Sequence, residues 1–330
     1  VELRLFELFK KARAAVDARN YAEALQIYRE ATQLDSRNAR VYSAIGFAQA
    51  QQGAYADAVQ SYRQAIALDG RNANFYYALA FCLASLNDND NAAQAYQQAI
   101  QLDPKLVPAY EGLAVVYSRQ RNFTNALNAY RKIVELDSKN ADAYRALGIL
   151  ALQQRRIPDA LSALQRAAQL APKNGEVQMA LAYGYMAQGD VPAAMAATNQ
   201  AILLEPRNAK VNIRAGNILL AQGNIEESLA AYRRATLANP QLVEGHIGVG
   251  DVMRTKGDSL GAVVAYRQAL QIQPKNPEAH YKLGLALQNR NRTEEAINEL
   301  KLARQLYLNQ NLGQSDEVRK INAVLRQLGQ

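Results

Sequence analysis

Residues 39–72 read ARVYSAIGFAQAQQGAYADAVQSYRQAIALDGRN, and residues 73–106 read ANFYYALAFCLASLNDNDNAAQAYQQAIQLDPKL. Laid over each other, the two 34-residue stretches place Tyr42 on Tyr76, Gly46 on Ala80, Ala58 on Ala92, Tyr62 on Tyr96 and Ala65 on Ala99. The same period continues in both directions. Units begin at 5, 39, 73, 107, 141, 175, 209, 243 and 277, so nine of them cover residues 5 to 310 without insertion or deletion. Such a fixed period means stacked copies of one supersecondary unit, not two or three compact domains.

The chemistry of the period explains itself. Place 8 is always small, from Ala12 and Gly46 to Gly250 and Gly284. Place 20 is Ala in eight units and Ser228 in the other, and place 27 is Ala except at Ile133. Place 24 is Tyr in six units, with Leu164, Thr198 and Leu300 in the rest. Each unit carries two helical patterns of about 14 residues, each helix about 21 Å long. Apolar places 4, 7, 8 and 11 form one stripe on the first helix. Small residues let the two helices approach, and the ring at place 24 fills the gap beside them. Gly or Asn at place 15 in six units (Gly53, Asn87, Gly189, Gly223, Gly257, Asn291) suits the left-handed end of a helix. Asn38, Asn72, Asn140, Asn174, Asn208 and Asn276 are placed to cap the next helix.

These places carry a resemblance to the tetratricopeptide repeat (TPR) family. The resemblance implies an all-α fold, a right-handed α-solenoid superhelix of nine 34-residue helix–turn–helix repeats. After the repeats, residues 311–330 read as a loop and a capping helix, with Ser315 as its N-cap and Val318, Ile321, Val324, Leu325 and Leu328 as its apolar stripe. The front has no such cap: Leu3, Leu5, Phe6, Leu8 and Phe9 crowd the first helix, and Lys11 stands where an apolar residue is usual. Residues 1–16 are therefore a candidate surface for self-association.

Formal net charge is +8, which favours acidic partners. Much of it has a structural reason, because Arg37, Arg71, Lys105, Lys139, Lys173, Arg207 and Lys275 each follow a helix C-terminus. No segment is apolar enough to span a bilayer, and no leader is visible. The cytoplasm is the default reading. A periplasmic or membrane-anchored placement would follow from a segment upstream of Val1.

Nothing in the chain reads as catalysis, a cofactor site or a metal site. His246 and His280, the two histidines, hold the same place in successive repeats, which suits packing better than convergence on a ligand. Cys82, the one cysteine, reads as a buried thiol.

The functional signal is a second stripe on the first helices, at places 2, 5, 9 and 12, joined in the later repeats by the cations Arg214 and Lys282. The resemblance implies that this face lines a concave groove for a partner peptide or helix. It reads Phe47, Tyr77, Phe81, Arg145, Ile149, Met179, Tyr183, Lys210, Arg214, Asn217, Ile247, Arg254, Tyr281 and Lys282. Apolar and aromatic residues lead in the earlier repeats and cations follow, a gradient that suits a partner with apolar anchors and an acidic segment. The family's five-residue carboxylate clamp is incomplete here: Arg145, Lys210 and Arg214 match its cations, but Ile149 and Ala180 replace its asparagines. The function so implied is a non-enzymatic protein-interaction scaffold. The alternatives are single-stranded RNA binding, disfavoured by the 34-residue period and the apolar stripe, and self-assembly through the first helix.

Overall fold

The computed structural model describes residues 2–310 and 315–329. Among them are nineteen α-helices and no strand. The chain divides into two compact units, residues 1–154 and 155–330. The first holds α1 (Glu2–Asp17), α2 (Tyr21–Leu34), α3 (Ala39–Gln51), α4 (Tyr55–Leu68), α5 (Ala73–Ser85), α6 (Asn89–Leu102), α7 (Val107–Arg119), α8 (Phe123–Leu136) and α9 (Ala141–Gln153). The second holds α10 (Ile157–Leu170), α11 (Gly175–Gln188), α12 (Val191–Leu204), α13 (Ala209–Ala221), α14 (Ile225–Ala238), α15 (Val243–Thr255), α16 (Ser259–Ile272), α17 (Pro277–Gln288), α18 (Thr293–Asn309) and α19 (Asp316–Gln327).

Each odd-numbered helix from α3 to α17 begins at the first residue of a sequence repeat. The six asparagines at the repeat ends are N-caps whose side chains accept from backbone N–H groups of the first turn. The turn between repeats has a second lock. Asp35, Asp69, Asp103 and Asp137 each accept the backbone N–H of the basic residue two places on, at 3.0–3.2 Å. Place 15 is left-handed in every repeat. Arg19, Arg121 and Arg155 adopt φ of 57–58° where the other six have Gly or Asn.

Within each unit the helices pack as hairpins. Where place 8 is Gly46, Gly216 or Gly250, the tyrosine ring at place 24 of the same repeat sits against it. A Cβ added at Gly46 would lie 2.9 Å from the ring of Tyr62, and one at Gly216 would lie 2.8 Å from that of Tyr232. Rings at place 24 also press on place 6 of the following repeat, Tyr96 on Gly112 and Tyr232 on Gly248. Small residues at two places therefore accommodate one large ring, which joins one hairpin to the next.

Place 4 has a job that its changing identity hides. Tyr42, Tyr110, Gln178, Asn212, His246 and His280 each bond a backbone carbonyl six residues back, in the turn between repeats, at 2.9–3.2 Å. Any side chain that can deliver a donor to that point serves, which accounts for both histidines.

His280 is buried, and its two nitrogens face two acceptors, Glu299 Oε2 at 2.5 Å and the Pro274 carbonyl at 2.9 Å. Both bonds require N–H, so the ring is held as the cation. Burial opposes that charge, but the bonds to Glu299 and Pro274 and the Glu299 charge outweigh it, and the pKa is raised. A raised folded pKa gives stability that is complete below the unfolded value of about 6.5 and disappears as pH rises through the folded value. The α17–α18 hairpin is therefore expected to lose protection in hydrogen exchange as pH rises above that range, after correction for intrinsic exchange rates. Glu299→Gln should flatten the dependence, and an unchanged slope would refute the assignment.

At the far end Ser315 accepts from Val318 N–H, and α19 buries Val318, Ile321 and Leu325 against Leu300, Ala303 and Tyr307. Asn309 ends α18, and residues 311–314, where the loop is expected, lie outside the described residues.

Candidate functional site

In unit 1–154, α3 touches α5 and α5 touches α7, whereas no comparable contact joins α2, α4, α6 and α8 to one another. First helices crowd and second helices spread, so the unit curves toward its first-helix face. Place 9 lies on that face. It presents Phe47, Phe81 and Val115 in three consecutive repeats, 43, 48 and 42% exposed. Their neighbours at places 7 and 8 are buried core residues, so the chain's apolar patterning leaves this row uncovered by design of the repeat and not through loose packing.

Tyr77 divides two depressions on this face. One, of about 500 Å³, is lined by Arg13, Tyr28, Arg40, Phe47 and Tyr62 together with Tyr77. The other, of about 260 Å³, lies between Tyr77, Phe81, Tyr96, Glu111, Val115 and Arg119. The rings are braced from behind: Phe81 meets Tyr55 edge-on at 6.3 Å between centroids, and Tyr77 tilts against Tyr96 at 6.1 Å. Arg119 donates through Nη1 to the Ala84 carbonyl at 2.9 Å, tying the C-terminal turn of α7 to that of α5. Further along, Arg145 pairs with Asp142 at 3.1 Å, and Ile149 is half-buried.

Unit 155–330 uses the equivalent places differently. Tyr232 donates to Asn217 Oδ1 at 2.5 Å, and Tyr266 donates to Asp251 Oδ1 at 2.7 Å. Asn217 also stands near Tyr183, whose hydroxyl titrates above its ordinary range through burial. Lys282 Nζ lies 2.6 Å from Asp251 Oδ2 and 2.7 Å from Glu278 Oε1. Burial would lower that ammonium, but the two carboxylates outweigh it and raise its pKa. Its charge is already answered within the chain. Arg254 stands near Tyr266, Arg214 near Tyr183, Lys210 is exposed and Tyr281 is half-buried.

Two residues read as part of the exposed stripe are core. Met179 is fully buried among Ala182, Val211 and Ala215, and Ile247 packs with Val243, Val263 and Leu283. Place 5 here fills the contact between neighbouring first helices, so the binding face of these repeats is narrower than the pattern implies. Cys82 is buried as expected, and burial pushes its thiol up to about 11. Among the described residues no group of three or more His, Cys, Asp or Glu could hold a metal, and no helix is long and apolar enough to cross a membrane.

A family model described as the cilia and flagella-associated protein 70 C-terminal domain, itself a TPR model, matches residues 5–247. A second, described as TPR repeat, matches residues 250–291. The chain belongs to the tetratricopeptide repeat family. No curated protein sequence matches it. Solved TPR-type structures do. It is similar to a chain of the APC/C hetero-tetramer Cut9-Hcn1, with 19% identity and a TM-score of 0.58 over 85% of this chain and 55% of that one. The chain thus spans about half the length of that neighbour. A tetratricopeptide repeat protein from Parabacteroides merdae matches at 19% identity and a TM-score of 0.59, over 76% of this chain and 99% of its own. Yeast Tom70 matches at 14% identity and a TM-score of 0.56, over 99% and 96%. At these identities the likeness is one of fold: an all-α TPR solenoid.

Proposed function

We propose that this TPR protein is a non-catalytic scaffold, and that the first-helix face of residues 1–154 holds an extended segment or a helix of a partner protein. One observation carries the reading: Phe47, Phe81 and Val115 stand uncovered at the same place of three consecutive repeats, beside two depressions that Tyr77 divides. A row of anchors at fixed spacing fits a ligand that is itself linear. Large exposed aromatic side chains next to pockets are the usual hot spots of such contacts. The assembly of Cut9 with Hcn1, named in that structure, is a parallel for a repeat chain that holds another chain. The residues of 155–330 contribute less, because Asn217, Asp251 and Lys282 spend their polar groups on each other and on Tyr232 and Tyr266.

The double variant Phe47→Ala/Phe81→Ala tests this. Each truncation of a binding hot spot costs about 2 kcal/mol, so recovery of the native partner on the full chain should fall by at least about thirtyfold. Far-ultraviolet dichroism should be unchanged, because neither ring is core. Leu237→Ala, at a site 83% exposed on α14, is the control and should recover the partner normally. Equal recovery by the double variant and the control would defeat the proposal.

A further inference from the structure

The repeat offers its own comparison for what the depression beside Phe47 lacks. In repeats seven and eight the tyrosine at place 24 donates to the residue at place 9, Tyr232 to Asn217 and Tyr266 to Asp251. In repeats one and two the tyrosines are Tyr28 and Tyr62, but place 9 is Arg13 and Phe47. Neither can accept. Neither hydroxyl makes a hydrogen bond among the described residues, and both tyrosines line the depression. Burial raises the pKa of both, so they stay protonated donors.

The charges point the same way. Arg13 and Arg40 line the same depression and are exposed, and neither guanidinium has a carboxylate partner among the described residues. No Asp or Glu is in its lining; Asp17 acts on Tyr28 from outside it. Three cations of the first helices or their C-caps further along the chain do meet carboxylates: Arg145 pairs with Asp142, Lys256 with Glu226, and Lys282 with Asp251 and Glu278. Here two cations and two hydroxyl donors surround apolar walls, Phe47 and Tyr77; Ser43 and Asn74 are the neutral polar residues of the lining, and no carboxylate is among them.

Resting on the scaffold reading above, we infer that this depression takes an acidic side chain of the bound segment, next to an apolar residue that packs on Phe47. Arg13 and Arg40 meet the carboxylate, and Tyr28 and Tyr62 donate to it or to the adjoining main-chain carbonyl. The carboxylate is inferred to be an internal side chain, and past Tyr77, which also walls the neighbouring depression, Phe81 and Val115 offer the next apolar anchor. A segment lying on the row continues past the acidic residue.

Selection on the full chain tests this with a display library of random twelve-residue segments, fused at both ends so that no free carboxylate terminus exists. The wild-type chain should enrich segments with Asp or Glu within two positions of a large apolar residue. A synthetic enriched peptide, capped at both ends, should lose about tenfold in affinity when its acid is replaced by the amide, and about as much against Arg13→Gln or Arg40→Gln, as expected for one charge-assisted bond. Tyr62→Phe, which keeps the ring, should weaken the peptide but not the melting temperature. Enrichment of apolar segments with no acidic preference would overturn this inference and leave the scaffold reading standing. No enrichment at all would overturn both. An acidic preference that persists in the Arg13→Gln/Arg40→Gln double variant would also overturn it. So would tight binding confined to peptides with a free C-terminal carboxylate, or an oligonucleotide bound more tightly than any peptide and released by the same double variant.

Discussion

Tyr266→Ala is expected to cost the 155–330 unit about 3–5 kcal/mol, the range for emptying a buried aromatic site. Tyr266 is fully buried in the cluster that also holds Ala262, Val263, Leu283 and Leu287, so nothing nearby can collapse into the space without breaking its own contacts. The variant also takes from Asp251 the hydroxyl bonded at 2.7 Å, leaving that carboxylate with Lys282. Tyr266→Phe separates the two effects. It removes the bond and keeps the ring, and should cost about 1 kcal/mol. Because a repeat touches only its neighbours, the damage should be local. Hydrogen exchange should show lost protection in α15 to α18, with α1 to α8 unaffected. A uniform loss along the chain, or a cost for the alanine variant no larger than for the phenylalanine one, would contradict this packing.

Gly216→Leu should be nearly as damaging, at about 2–3 kcal/mol, by the opposite route. A Cβ at Gly216 would stand 2.8 Å from Cε1 of Tyr232, and that ring is itself buried and bonded to Asn217. Leucine favours a helix over glycine by somewhat under 1 kcal/mol, which offsets only part of the overpacking. The two places should therefore be coupled. In a Tyr232→Ala background the leucine enters the space the ring has left, and Gly216→Leu should be close to neutral or stabilising. Denaturant melts of the two single variants and the double variant measure the coupling energy. Additive costs would show that place 8 and place 24 do not oppose each other as described.

The fold was legible because its determinants are local and recur. Ala58, Tyr62 and Ala65 say little alone, but the same residue types at the same spacing in nine units leave one arrangement. The asparagine caps and the left-handed turns were readable for the same reason. What escaped the sequence were relations across a turn. The aspartates at place 31 are ordinary surface acids until the fold brings the next N–H groups to them. The varied residues at place 4 look like loosening, from Tyr110 to Gln178 to His280, until each is found on the same carbonyl. The site was legible in part. Phe47, Tyr77 and Phe81 line the exposed face, but periodicity alone placed Met179 and Ile247 there too. How closely successive first helices approach decides which place 5 residues are covered, and that distance is not written in one helix. Arg13, Tyr28, Arg40 and Tyr62 were missed together, since they come from four helices and meet only around the depression. The available signal was the change at place 9 from Arg13 and Phe47 to Asn217 and Asp251 beneath the same tyrosine.

The central claim is that the uncovered row of residues 1–154 is where a partner lies. Site-specific photocrosslinking in the cell of origin tests it most directly, with benzoyl-phenylalanine placed at position 47, 81 or 115 and, for comparison, at position 237. One partner band should form from the first three positions, disappear at 81 when Phe47 is also replaced by alanine, and be missing at 237. The same band at equal yield from position 237, or from 237 alone, would show that the partner sits on another surface.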